Sequence, residues 1–127
     1  MPTTENATMT SAEIARTLKK HCDKGDFEGA QKLLYAKDAV SIEPMASQGF
    51  EKETHGLDAI LKKGEKWNEM VSEVHGIKVS DPMVAGDSFA LSFNMEVTMK
   101  DGKKSKMNEL GVYHVKEGKI VSEQFFM

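Results

Sequence analysis

From Phe89 to Met99 the chain alternates without a break. Phe89, Leu91, Phe93, Met95, Val97 and Met99 fall on one side; Ala90, Ser92, Asn94, Glu96 and Thr98 fall on the other. A period of two held over that length predicts a strand with one face in a core. Asp101-Gly102 follows as a hairpin turn and Glu117-Gly118 as a second, so Lys106–Val115 and Lys119–Met127 are read as the next two strands. Glu73–Ser80, rich in β-branched residues, is read as the strand before, joined through Pro82 and Gly86. The second half of the chain is therefore an antiparallel meander.

The first half has a different period. Thr10-Ser-Ala-Glu13 forms a capping box, and Ile14, Ala15, Leu18 and Cys22 recur at helical spacing until Gly25. Asp26 caps a second helix with Phe27, Ala30, Leu33 and Leu34 as its apolar stripe. A short strand over Ala39–Glu43 halts at Pro44, and Met45–His55 reads as a loop containing a short strand. A third helix starts near Leu57, with Leu57, Ile60, Leu61, Gly64, Trp67, Met70 and Val71 in one stripe. Helices first and strands second predict an α+β fold, with three N-terminal helices on one face of a curved, mainly antiparallel sheet. Residues 1–9 are read as a flexible tail and 10–127 as a single domain.

Apolar residues make up 39% and charged residues 29%, a mixture that builds a core and stays in solution. The net charge of -3 gives no footprint for a phosphate backbone, so a nucleic-acid partner is not expected. Lys103, Lys104 and Lys106 read as a solvated edge beside a turn. One cysteine, Cys22, cannot form an intrachain disulfide, and its place on a buried stripe predicts an inert thiol. Met1–Thr10 is polar and does not read as a secretory signal, and no run is long enough to span a membrane; a cytoplasmic location is the expectation. His21, His55, His75 and His114 lack metal-ligand spacing, and no Gly-rich phosphate loop is present, so neither metal nor cofactor is expected.

Two leading helices run into "LLYAKDAVSIEP", a third helix carries Trp67, and then come "EVHGIKVSDP", "GDSFALSFNMEVTMKDGK" and "MNELGVYHVKEGKIVSEQFFM". From about Ala12 to Met127 this resembles the SnoaL-like domains of the nuclear transport factor 2-like superfamily, most of all in the ending "GKIVSEQFF". The resemblance implies a cone-shaped α+β barrel of cystatin-like form, with a pocket inside the cone and a homodimer through the outer sheet face. The superfamily holds isomerases, cyclases, dehydratases, epoxide hydrolases, transport factors and uncharacterised members, so the fold does not choose the function. Its steroid isomerases use a carboxylate base opposite a tyrosine and an acid; the residue types are present here, the motif is not.

The turns predict a register: His75 opposite Phe93, Phe93 opposite Gly111, Met95 opposite Glu109, Gly111 opposite Glu123, and Tyr113 opposite Val121. Directly opposed residues share a face. One face then holds His75, Leu91, Phe93, Met95, Glu109, Gly111, Tyr113, Val121, Glu123 and Phe125. It is apolar with a few polar groups, as a small-molecule pocket is. Gly111 is expected to leave space, and Trp67 to close the lid side. The opposite face, with Ser92, Asn94, Glu96, Leu110, Val112, His114, Ser122, Gln124 and Phe126, is expected to form the dimer surface.

Glu109 and Glu123 are the first chemical candidates. A carboxylate on an apolar face is either desolvated toward a useful general-base pKa or paired with a neighbour as a structural group. His75 is a candidate acid, base or ligand-orienting donor, or a hydrogen-bonded core histidine. Tyr113 is a candidate oxyanion donor, or a buried ring with a bonded hydroxyl. Nine methionines offer an adaptable lining but no cofactor site. Three functions stay open: an apolar pocket binding a small, largely hydrophobic molecule; a cofactor-free isomerase, cyclase or lyase using a pocket carboxylate as general base; and a homodimeric interaction module without catalysis.

Overall fold

The computed structural model describes residues 8–46 and 49–127. Three helices, α1 (Ser11–Asp23), α2 (Phe27–Leu34) and α3 (Leu57–Met70), pack on one sheet. The sheet is built from β1 (Tyr35–Ile42), β2 (Glu53–His55), β3 (Val71–Val79), β4 (Met83–Ala85), β5 (Ser88–Met99), β6 (Lys104–Lys116) and β7 (Lys119–Phe126). The strand order is β2-β1-β7-β6-β5-β3, with β4 also pairing β5. Among the described residues every strand pairing is antiparallel except β1–β7, which is parallel. This is the expected α+β architecture.

The capping box is present: Thr10 Oγ1 accepts from the Glu13 N–H at 3.1 Å, and Glu13 Oε1 accepts from the Thr10 N–H at 2.9 Å. Ile14, Ala15, Leu18 and Cys22 are the buried residues of α1, as its spacing predicts. Asp26 caps α2 by accepting from the Gly29 N–H at 3.0 Å. Leu33 departs from its expected stripe and is 51% exposed; α2 stops one residue later, and β1 begins at Tyr35 rather than Ala39. Likewise α3 ends at Met70, and Val71 opens β3. Both helix-to-strand changes occur without a linker, which removes the polar punctuation that usually marks a boundary.

The register differs from the expectation at each hairpin. Asp101-Gly102 lies in a three-residue loop, Lys100 to Gly102, with Gly102 at φ 88° and the Lys103 N–H donating to Asp101 Oδ1 at 2.9 Å. Phe93 therefore faces Glu109, and Met95 faces Met107. Glu117 and Gly118 both take positive φ, 52° and 76°, the two-residue turn that matches strand twist. It sets Lys116 opposite Lys119; a bulge at Val121 then brings Tyr113 opposite Glu123 and Gly111 opposite Phe125. These slips are of two residues, so the inward face keeps its members except Val121, which the bulge displaces while Ile120 takes the buried place. The β3–β5 pair slips further: Ile77 faces Met95 and Val79 faces Phe93, while His75 falls in a bulge between Val74 and Gly76.

The core joins α1, Ala30 and Leu34 of α2, and Ile60 of α3 to the inner face carrying Phe89, Leu91, Tyr113 and Ile120. Each large apolar side chain buried this way contributes about 1.5–3 kcal/mol. Residues 1–7 of the expected tail lie outside the described residues; Met9 packs against the core. No helix is long and apolar enough to cross a membrane.

Candidate functional site

Apolar packing is incomplete between the helices and the inner face of the sheet. A cavity of about 400 Å³ lies there, walled by side chains of α1, α2, α3 and the inner sheet face. Helix α3 presents Ile60, Lys63, Gly64 and Trp67 to it, one stripe at helical spacing. A Cβ on Gly64 would meet no atom within 4 Å, so this glycine keeps that wall low. From the sheet come Phe93, Met95, Met107, Glu109, Glu123 and Phe125.

Glu123 is buried, 3% exposed. Tyr35 Oη donates to its Oε1, and Ser41 Oγ donates to its Oε2 at 2.6 Å. Ser41 is also the Cα partner of Glu123 across the parallel β1–β7 pair. Lys63 Nζ in turn donates to Ser41 Oγ at 2.8 Å and to Glu43 Oε2 at 3.1 Å. The result is a chain of polar groups from Glu43 through Lys63, Ser41 and Glu123 to Tyr35. Burial pushes the Glu123 carboxyl above the ordinary glutamate range, while the Ser41 and Tyr35 hydrogen bonds and the Lys63 charge pull the other way. Burial also raises the Tyr35 phenol well above its usual value, so it stays a proton donor at neutral pH.

Glu109 is different. Among the described residues it has no ion-pair partner, and it faces the same cavity. Desolvation, then the charges of Glu43 and Glu123, push its carboxyl up to about 7, against the opposing pull of Lys63. A carboxyl with that value exchanges a proton readily at neutral pH. Cys22 also lines the cavity, but burial and then Glu123 push its thiol up to about 12, so it is not a nucleophile at neutral pH.

The remaining expected site residues divide. Trp67, Phe93, Met95 and Phe125 line the cavity together with Glu109 and Glu123. Tyr113 does not: its ring lies in the core, stacked on Phe89 at 4.8 Å and edge-on to Phe125 at 6.4 Å. Gly111 does not open the cavity either; a Cβ there would stand 2.9 Å from a Tyr113 ring carbon and 3.1 Å from the Phe93 ring. The space spared by the missing side chain holds the tyrosine. His75 is corrected outright: it is solvent-exposed, with Nε2 2.6 Å from Thr98 Oγ1, because the β3 bulge takes it out of the inward alternation.

Sequence reasoning missed Tyr35, Ser41, Glu43 and Lys63. Lys63 stands three residues after Ile60 and four before Trp67, so the α3 stripe contained it; it was passed over as a charge. Ser41 alternates with Ala39 on β1 in the same way. Tyr35 had no strand signal of its own. No group of three or more His, Cys, Asp or Glu among the described residues is placed to hold a metal ion.

The sequence matches the model of the SnoaL-like domain over residues 9–127. The chain belongs to the SnoaL-like domain family. Its fold agrees with that of a solved protein from Mesorhizobium loti, named as a candidate SnoaL-like polyketide cyclase with carbohydrate phosphatase in brackets. The two are 41% identical over 94% of this chain and 100% of the other, with a TM-score of 0.86. More distant solved structures share the SnoaL-like fold alone. One is an NTF2-like protein of unknown function from Burkholderia pseudomallei, 16% identical over 94% of this chain and 92% of that one, TM-score 0.77. Another is a protein of unknown function with cystatin-like fold from Xanthomonas campestris, 20% identical over 93% and 90%, TM-score 0.79. No curated protein matches the sequence.

Proposed function

We propose that this SnoaL-like protein takes a small, largely apolar carbonyl compound into its cavity and moves a proton on it, with Glu109 as general base. The observation that carries the reading is Glu109 itself: a carboxyl without an ion-pair partner among the described residues, facing an apolar cavity of about 400 Å³, with its pKa pushed up to about 7. A purely structural carboxylate is bonded as Glu123 is; Glu109 is left toward the space a ligand would fill. In the reaction a C–H bond beside the carbonyl breaks, the proton passes to Glu109, and the electron pair moves into an enolate. Return of the proton at another carbon gives an isomer, and attack of the enolate carbon on a second carbonyl gives a ring. The candidate polyketide-cyclase name of the Mesorhizobium loti relative is consistent with this class.

The test is a thermal-shift screen of small apolar ketones, lactones and hydrophobic acids against wild type and Glu109→Gln. A ligand at a hundred times its Kd adds about 2.7 kcal/mol of stability. Hits that protect both proteins and are turned over only by wild type support the reading. Turnover that survives the substitution removes Glu109 from the base role, and an empty screen removes the ligand class.

We also infer that two copies pair through the outer sheet face. Leu110 and Phe126 are directly opposed there, 43% and 47% exposed, the kind of apolar centre a homodimer covers. A cytoplasmic setting fits the single reduced, buried Cys22.

A further inference from the structure

We infer that Lys63 is the contact for the ligand's oxygen, so that the cavity selects neutral molecules with an enolisable carbonyl or phenol-type hydroxyl over carboxylic acids. This rests on the proton-transfer reading of Glu109. An enolate needs a donor for its oxygen as the proton leaves. The Tyr35 and Ser41 hydroxyls both donate to Glu123. Lys63 is the one cationic side chain among the described residues lining the cavity. An ammonium has three N–H donors; Ser41 and Glu43 take two, at 2.8 and 3.1 Å, which leaves one for a ligand. Its charge is felt by Glu109 and by Glu123, so base and cation act on the same space.

Charge balance sets the selectivity. Five glutamates, Glu28, Glu43, Glu65, Glu109 and Glu123, line the cavity with this single lysine. A ligand carboxylate adds a permanent negative charge to that group. An enolate does not, because Glu109 becomes neutral in the same step that the oxygen becomes negative. The cavity's total charge is unchanged through the reaction, and only its position moves, from Glu109 toward Lys63. Atoms and electrons balance without a co-reactant: one C–H bond breaks, one carboxyl O–H bond forms, and the pair becomes the enolate.

Nitrophenols report this directly, since phenol and phenolate differ in absorbance and a bound phenolate imitates the enolate. Wild type, Lys63→Met and Lys63→Arg are saturated with nitrophenol at matched pH. The expected result is that Lys63→Met lowers the bound phenolate-to-phenol ratio about tenfold, the effect of removing one nearby charge at a partly buried site, with partial recovery in Lys63→Arg. In wild type the Lys63 Nζ resonance moves on saturation, a readout that does not depend on the variants folding. An unchanged ratio in Lys63→Met, or a stationary Lys63 resonance, overturns the inference. Binding of neutral ketones but not of nitrophenols overturns it while leaving the proton-transfer reading intact. Failure of both ligand classes, with Glu109 titrating as an ordinary glutamate, removes that reading as well.

Discussion

Ser41 and Glu123 are Cα partners across the only parallel strand pair among the described residues, and Ser41 Oγ donates to Glu123 Oε2 at 2.6 Å. Both residues are buried, and Ser41 also receives a hydrogen bond from Lys63. One hydroxyl thus serves a buried carboxyl and the cavity's cation together. Removing it takes one partner from each of two polar groups at once, leaving Glu123 its bond from Tyr35 and Lys63 its bond to Glu43. Ser41→Ala is expected to lose roughly 2–3 kcal/mol of unfolding free energy in a urea titration. A loss under about 0.5 kcal/mol, the scale of a neutral surface change, would mean that the chain of polar groups does not support the fold.

Glu109 gives the protein a pH dependence of definite sign. Its carboxyl ionises at about 7 in the folded state, against an ordinary glutamate value of 4.5. Between those values the folded state binds more protons than the unfolded chain, so stability falls as pH rises through the window and levels above it. Glu123, also raised, acts in the same sense. Glu109→Gln isolates the Glu109 share: the variant is expected to match wild type near pH 4 and to exceed it by roughly 2–3 kcal/mol near pH 8. Carbon-13 NMR of the glutamate carboxyls reads the titration itself, and a Glu109 midpoint near 4.5 contradicts the argument.

Gly64 lies within the unbroken helix α3 where it faces the cavity, and a Cβ there meets nothing within 4 Å. Gly64→Ala is therefore expected to stabilise the protein by about 0.5–1 kcal/mol through backbone entropy. The methyl group also narrows the cavity, so a ligand that fills it should bind more weakly to the stabilised variant. Equal affinity would place the ligand away from this wall.

Gly111 carries the opposite expectation. Its Cβ would press on the Tyr113 ring at 2.9 Å and the Phe93 ring at 3.1 Å, and Tyr113 is held by Phe89 and Phe125. Gly111→Ala should cost about 1–3 kcal/mol by overpacking. Adding Tyr113→Phe, which removes the hydroxyl oxygen 3.0 Å from that Cβ, should return part of it. Thermal unfolding of the two variants decides; no loss in Gly111→Ala would mean the rings move aside freely.

If the outer face pairs two copies, Leu110→Glu places a charge opposite Phe126 at its apolar centre. Light scattering is expected to show a dimer in wild type and a monomer in the variant. A monomeric wild type dismisses the interface.

Much of this was legible in the residues. The alternation of β5 and the turns at Asp101-Gly102 and Glu117-Gly118 specify which side chains point inward, and the period of two protects that answer. A register slip of two residues changes partners but not faces, so Glu109, Glu123, Phe93 and Phe125 reached the inner face despite misplaced partners. His75 was lost because a bulge breaks the period; Gly76 beside it, a glycine inside a strand, was the one mark of the extra position.

The sequence by itself determined the helices-then-meander architecture, the capped start of α1, the inward set of the long strands and the family. The first three are properties of local periodicity and turn chemistry, and the family follows from the likeness of whole segments to known domains. Only the tertiary structure decided what Glu109 and Glu123 are. Tyr35 and Ser41 reach Glu123 through a parallel pairing across most of the chain, and Lys63 reaches Ser41 from a helix. Two carboxylates on one apolar face look alike in sequence. Distant partners hold one of them, while burial and then the charges of Glu43 and Glu123 raise the pKa of the other, because desolvation and charge depend on what surrounds a group in three dimensions.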